Sequence, residues 1–278
     1  MADYLRPSSL DDALAALADR PWTMLAGGTD VYPANVGHPI SDDILDVTGL
    51  PSLREVSVAE GFVRIPALAT WTDIVRADLP PAFDGLKTAA RSIGGVQIQN
   101  RGTLAGNLCN ASPAADGLPN LMALDATVEL SSAGGRRQIE VGEFVVGNRR
   151  TVRQPDELVT AILVPEPSPT ARSTFLKLGS RAYLVISIAS VAAVIDVGAN
   201  GRVASARIVV GACSEVPRRI AGAEARLVEE VASSSLAASI DAGDLDVLSP
   251  IDDVRGTTAY RRDAATTLVR RAVSELLA

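Results

Sequence analysis

Cysteine and histidine are nearly absent from this chain. Cys109 and Cys213 are the only cysteines, with no CxxC pair, and His38 is the only histidine. A structural zinc site takes about four nitrogen or sulfur ligands and an iron–sulfur cluster several thiolates, so neither is expected on this chain alone. The same count excludes a disulfide framework. A hydrolytic triad would have to use His38, which lies in the turn-like VGHPI, and no nucleophile elbow occurs anywhere. His38 is therefore expected to be an exposed loop residue. Lysine is scarce too: Lys87 and Lys177 stand among 26 basic residues, the rest being arginine. Those 26 face 33 acidic side chains, a net charge of −7 that repels a phosphate backbone, so nucleic acid is not an expected partner. No apolar run reaches the roughly 18 residues that argue a membrane span. The opening MADYLRPSSLDD is acidic and polar where a secretion signal is basic and then apolar. A soluble, cytoplasmic protein is the expectation. With 47% apolar residues over 278 positions, the chain can bury the cores of one or two domains.

Local patterns outline the elements. Ser9 can cap a helix whose first turn holds Asp11 and Asp12 and whose apolar face is Leu10, Ala13, Leu14, Leu17 and Ala18; Pro21 ends it. Residues 22–26 read as a strand running into Gly27-Gly28, and Ile44 to Val47 as a second. A hairpin is expected around Glu60-Gly61, a capped helix after Thr70, a helix over 118–126, and a hairpin over 127–141 turning at Gly134-Gly135. Residues 93–117, IGGVQIQNRGTLAGNLCNASPAADG, show neither helical nor strand periodicity and read as a long loop low in charge, a length uncommon unless functional. Beyond the linker-like EPSPTARS come strands at 173–178, 186–197 and 202–213, the last two joined by Asn200-Gly201, then helices near 221–240 and 258–277. The reading is an α/β N-terminal part of about 165 residues and an α+β C-terminal part of about 110.

Three features bear on chemistry. Leu25-Ala26-Gly27-Gly28-Thr29-Asp30 is a strand ending in paired glycines and a hydroxyl. Such a turn lets backbone N–H groups approach an anion, although a plain tight turn explains it equally well. In the small-residue loop, Thr103, Gly106, Asn107, Asn110, Ser112 and Asp116 supply polar groups around space for a bulky ligand. Asp116 either caps the next helix or accepts from a ribose or ribityl hydroxyl. Lys177, alone among apolar neighbours, either places positive charge beside an anionic cofactor or snorkels from a sheet edge. Cys109 reads as a small apolar filler, and Tyr183 and Trp71 as lids for a flat ring or as ordinary core.

Four separated motifs carry a resemblance: LAGGTD at 25–30, NRGTLAGNLCNASPAAD at 100–116, LMALDATVEL at 121–130 and DDVRGTTAYRR at 252–262. In this order and spacing, from Tyr4 to about Ala272, the chain resembles the FAD-binding medium subunits of the molybdenum hydroxylases, the xanthine and carbon monoxide dehydrogenase family. The resemblance implies an α+β fold: a two-part FAD-binding domain of the vanillyl-alcohol-oxidase (PCMH) type over 1–167, its parts meeting near 55, and a second domain over 168–278 with a three-stranded antiparallel sheet and helices. Carried over residue by residue, Leu25, Ala26, Gly27, Gly28, Thr29, Asp30, Val31 and Tyr32 would wrap the FAD diphosphate. Thr103, Leu104, Ala105, Gly106 and Asn107 would make the second phosphate and ribityl contact, and Asp116 would bond a flavin-side hydroxyl. Ile93 and Val159 would pack on the rings and Lys177 would approach the isoalloxazine. The family usually has GGN where this chain has Ala105-Gly106-Asn107. A cysteine-rich insertion for a further cluster, found in some relatives, is ruled out by the cysteine count.

The same resemblance implies no organic substrate site, no catalytic residue and no metal ligand on this chain. A large subunit with a molybdenum cofactor would oxidise the substrate, and a small subunit with two iron–sulfur clusters would pass electrons on. FAD here would hand them to an acceptor such as NAD, oxygen or a quinone-linked carrier. Two alternatives stay open: a stand-alone flavin reductase of the same fold, and a flavin-free scaffold subunit.

Overall fold

Ser9 opens the first helix of the computed structural model, which describes residues 2–59 and 61–278. Its hydroxyl accepts the Asp12 N–H at 3.1 Å, and Asp11 and Asp12 occupy the first turn, where the helix dipole favours carboxylates. This helix, α1 (Leu10–Asp19), buries Ala13, Leu14 and Leu17. It connects β1 (Tyr4–Leu5) to β2 (Thr23–Leu25), and after the short α2 (Val31–Ala34) the chain enters β3 (Ile44–Asp46). The three strands form a parallel sheet in the order β1-β3-β2, with Tyr4 and Thr23 both in register with Ile44.

Next come β4 (Ser57–Ala59) and β5 (Phe62–Pro66), an antiparallel pair with Val58 opposite Val63. Glu60, half of the expected turn, lies outside the described residues. Helices α3 (Trp71–Arg76), α4 (Asp84–Ser92), α5 (Val96–Gln99), α6 (Leu104–Asn110) and α7 (Gly117–Ala123) lead to the hairpin β6 (Thr127–Ser132) and β7 (Gly135–Glu140). The one-turn α8 (Val141–Phe144) and the small pair β8 (Val145–Gly147) and β9 (Arg150–Thr151) precede β10 (Leu158–Pro165). Every residue of β10 except the last is buried, as its apolar run LVTAILVP requires. It forms the middle of a five-stranded antiparallel sheet ordered β4-β5-β10-β6-β7.

The expected C-terminal strands are present as the antiparallel meander β11 (Arg172–Leu178), β12 (Ala189–Val197) and β13 (Val203–Gly211). Gly201 takes a φ of +73° in the turn between the last two, a conformation open to glycine at no steric cost. The two-residue β14 (Arg218–Arg219) extends the edge. Alternate residues of this sheet serve two cores. Phe175, Ala192, Val194 and Val209 belong to a first cluster on the side of α4 and α7. Val191, Ala193, Ile195, Ile208 and Val210 belong to a second cluster, covered by the final helix, α10 (Thr258–Leu276).

Two expectations need correction. Residues 93–117 are not one long loop, because they contain α5 and α6. Thr103 caps α6 by accepting the Gly106 N–H at 3.0 Å, and Leu104 and Leu108, one turn apart, are both buried. The helix expected over 221–240 stops after α9 (Ala221–Ala225). Its continuation pairs with the start of β13 instead: Val203 N–H donates to the Glu230 carbonyl at 3.0 Å and Glu229 N–H returns to the Val203 carbonyl at 2.9 Å. Ser233 then caps a separate short 3-10 helix, Ser234–Ser239, by accepting the Ser235 N–H. No described helix is long and apolar enough to cross a membrane.

Candidate functional site: a cleft between two glycine turns

At the end of β2 the chain turns sharply through Gly27 and Gly28, and Gly28 holds a φ of +73°. Phosphate sites of open parallel sheets lie at such strand ends. Gly27 packs directly on the second glycine-bearing segment. A Cβ added there would overlap the Arg101 carbonyl oxygen and stand 2.9 Å from the Gly102 Cα. On the other side, a Cβ on Gly102 would meet Thr29 Oγ1 at 3.4 Å and Trp71 Cδ1 at 3.3 Å. Backbone hydrogen bonds fix the second segment: Gly102 N–H to the Ile98 carbonyl at 2.7 Å, Trp71 N–H to the Gly102 carbonyl at 3.1 Å, and Leu104 N–H to the Ala69 carbonyl at 3.2 Å. Thr103 and the N-terminus of α6 follow at once, bringing the positive end of a helix dipole to the same place.

The two turns open onto one cleft of about 470 Å³, within the range of about 300–1,000 Å³ usual for small-molecule sites. Its wall runs from Met24, Val47 and Leu68 to Leu158 and Val159, and its polar rim includes Thr29, Asp30, Thr103, Asn107 and Asn110. Among the described residues, the N–H groups of Gly27, Gly28, Thr29 and Asp30 donate to no protein acceptor. Asn107 Oδ1 is buried without a donor, beside Gly117, where a Cβ would come within 2.6 Å of it. Buried polar atoms without partners are rare in native proteins. Cys109 lines the same cleft, and burial pushes its thiol up to about 11, against a weaker opposing effect of Arg153.

Of the residues expected to hold the cofactor, Ala26, Gly27, Gly28, Thr29, Asp30, Val31, Ile93, Thr103, Ala105, Gly106, Asn107 and Val159 come together around this cleft. Five do not line it. Leu25 and Leu104 are buried core, anchoring the turn and α6 from behind. Tyr32 is exposed, its ring lying against Gly28. Asp116 neither caps α7 with its side chain nor offers a free oxygen to a ligand. Its Oδ2 accepts from Lys177 Nζ at 2.8 Å and its Oδ1 from Ser187 Oγ at 2.6 Å. Lys177 also donates to the Val185 carbonyl at 3.1 Å, so the pair satisfies itself at the junction of α7 and the 179–188 segment. Trp71 is buried and also lines the cleft, whereas Tyr183 is three-quarters exposed, away from the cleft lining. Sequence reasoning missed Arg149, Thr151 and Arg153, which line the cleft from the turn and strand around β9. Nothing local distinguishes them from the chain's other arginines and threonines.

A glycine turn at the end of a parallel sheet and the capped start of α6 share one small-molecule cleft, and the chain's likeness to known proteins gives that cleft its class, a flavoprotein. Residues 1–167 match the FAD binding domain in molybdopterin dehydrogenase, and residues 174–276 the CO dehydrogenase flavoprotein C-terminal domain. The chain belongs to this family, as an FAD-binding medium subunit of the molybdenum hydroxylase type with the corresponding two-domain fold. The glyceraldehyde dehydrogenase medium chain of Sulfolobus acidocaldarius is 32% identical over 276 residues, 98% of this chain and 97% of that one. The nicotinate dehydrogenase FAD-subunit of Eubacterium barkeri is 34% identical over 194 residues, 67% of this chain and 66% of that subunit. In reconstituted CO dehydrogenase from Oligotropha carboxidovorans, one chain superposes with a TM-score of 0.91 at 26% identity, covering 100% of this chain and 99% of that chain.

Proposed function

We propose that this chain is the electron-transfer flavoprotein of a three-subunit molybdenum hydroxylase. Electrons enter from the iron–sulfur clusters of a small two-cluster subunit, after substrate oxidation at a molybdenum cofactor on a large subunit. They leave to an external acceptor such as NAD, oxygen or a quinone-linked carrier. FAD, when bound, supplies the exchange between single-electron and paired-electron chemistry. The work of this chain is to bind and orient it. Gly27 to Asp30 and Thr103 to Asn107 would hold the diphosphate and ribityl, and Ile93 and Val159 the ring system. Leu25, Leu104 and Tyr32 would support those turns, while Asp116 and Lys177 would act from behind the wall. The proposal includes a division at 167/168, with a subdivision near 55, and a cytoplasmic location.

The observation that carries this reading is the back-to-back packing of Gly27 on Arg101–Gly102, which aims two glycine turns into one cleft. Unpaired N–H groups at Gly27 to Asp30, among the described residues, support it, because they suit an anion. The chain purified from its native host should be yellow, release FAD on denaturation, and come with two other chains. A colourless protein that takes up no added FAD would overturn the flavoprotein reading. NAD(P)H oxidation by the lone chain would instead favour a stand-alone reductase.

A further inference from the structure

Lys177 is the cation that the sequence offered to a bound cofactor, yet the structure commits it to Asp116. The positive charge in the cleft comes from elsewhere. Arg149 and Arg153 are the basic residues of the described lining, and Asp30 is its carboxylate. Both arginines are held by neutral groups. Arg149 Nη1 donates to Asn110 Oδ1 at 2.7 Å, and the Asn110 amide donates to Asp30 Oδ1 at 3.1 Å, so this amide stands between the two charges. Arg153 Nη1 donates to the Gln154 and Glu157 carbonyls at 2.9 and 2.8 Å. The nearby Glu157 carboxylate is taken by Arg137 at 2.5 Å. Neither Arg149 nor Arg153 forms an ion pair among the described residues.

The turn presenting Arg149 is built to hold it there. Arg149 sits at a φ of +55°, a conformation unfavourable for a side chain of this size. It is kept so by its own N–H to the Ala111 carbonyl at 2.9 Å and by the Asn148 N–H to Glu215 Oε1 at 3.1 Å. Arg149 is exposed and Arg153 half-buried, and two guanidinium groups without a carboxylate partner on one cleft suit an anion bound there, because charge-assisted hydrogen bonds to phosphate are the strong ones and arginine's fork matches its oxygens. Oxidised FAD is ionised at neutral pH only at its diphosphate.

We propose that Arg149 and Arg153 neutralise the FAD diphosphate, a role that rests on the flavoprotein reading above. The test measures FAD affinity of the deflavinated full chain by flavin fluorescence, at low and high ionic strength, for wild type and for Arg149→Gln, Arg153→Gln and the corresponding lysine variants. Each glutamine variant should weaken FAD about tenfold or more at low salt and flatten the salt response, and lysine should restore most of both. Circular dichroism of the apoproteins checks folding, and Arg149→Met and Arg153→Met carry the test if a glutamine variant does not fold. Wild-type affinity and wild-type salt dependence in the glutamine variants would overturn the arginine assignment alone. A wild-type chain that binds no FAD would sink the flavoprotein reading and this one together.

Discussion

Gly27 and Gly28 are neighbours with different reasons to be glycine. At Gly27 the obstacle is a backbone carbonyl, Arg101 O, which cannot move without disturbing the turn that ends at Thr103. At Gly28 the obstacle is the exposed Tyr32 ring, which can swing away, leaving the positive φ as the remaining cost. Gly28→Ala should therefore cost about 1–2 kcal/mol, the penalty for a left-handed L-residue. Gly27→Ala should cost more, about 3 kcal/mol, as an overpacked site against rigid backbone. Urea denaturation of the two variants checks the order, and equal losses would show that the Arg101 contact yields easily. Asn107 and Gly117 form a similar pair: a side chain at Gly117 would strike the very amide oxygen that lacks a donor.

Helix α6 shows how an element can hide among small residues. LAGNLCN has little amphipathic signal beyond Leu104 and Leu108, and the glycine and asparagines argue against a helix on propensity alone. Thr103 starts the helix and Ala111, at a φ of +47°, ends it. Thr103→Ala should destabilise the protein by about 1 kcal/mol, the usual worth of a hydroxyl cap, whereas Thr103→Ser should be nearly neutral. Thermal or chemical denaturation reads both. The segment after α9 errs in the opposite sense: residues 226–232 carry helix formers, yet Glu229, Glu230 and Ala232 pair with Val203 and Gly201 at the start of β13.

At the scale of the whole molecule, the two hydrophobic clusters share one sheet, and the buried Asp116–Lys177–Ser187 group ties α7 to the segment after β11. Removing one partner leaves an uncompensated buried charge, so Asp116→Ala should cost about 3–5 kcal/mol. Asp116→Leu combined with Lys177→Met should cost less than either single change, and a double-mutant cycle on the melting curves measures the coupling. Acid should weaken the fold for a separate reason. Arg64 beside Glu129, helped by the Thr160 hydroxyl, holds that carboxyl below its ordinary range, and Arg137 does the same for Glu157. A carboxylate whose folded pKa is depressed contributes stability above its unfolded pKa and loses it as pH falls through the folded value. Stability should thus decline below about pH 4.5, near the ordinary glutamate pKa, and Glu129→Gln should flatten that decline in a pH series of denaturation curves.

What the residue order settled was local. The Ser9 cap, the alternation of β12 and β13, the turn at Gly201, the buried run of β10 and the glycine turn after β2 are all written in periodicities of a few residues, which steric and dipolar preferences impose wherever they occur. Folding decided which of these local pieces meet. That Gly27 rests on Arg101, that Lys177 goes to Asp116, and that Arg149 and Arg153 supply the cleft's positive charge all depend on contacts between elements. Such contacts follow from the packing of four sheets and their helices, and no short stretch of chain carries a signal for them.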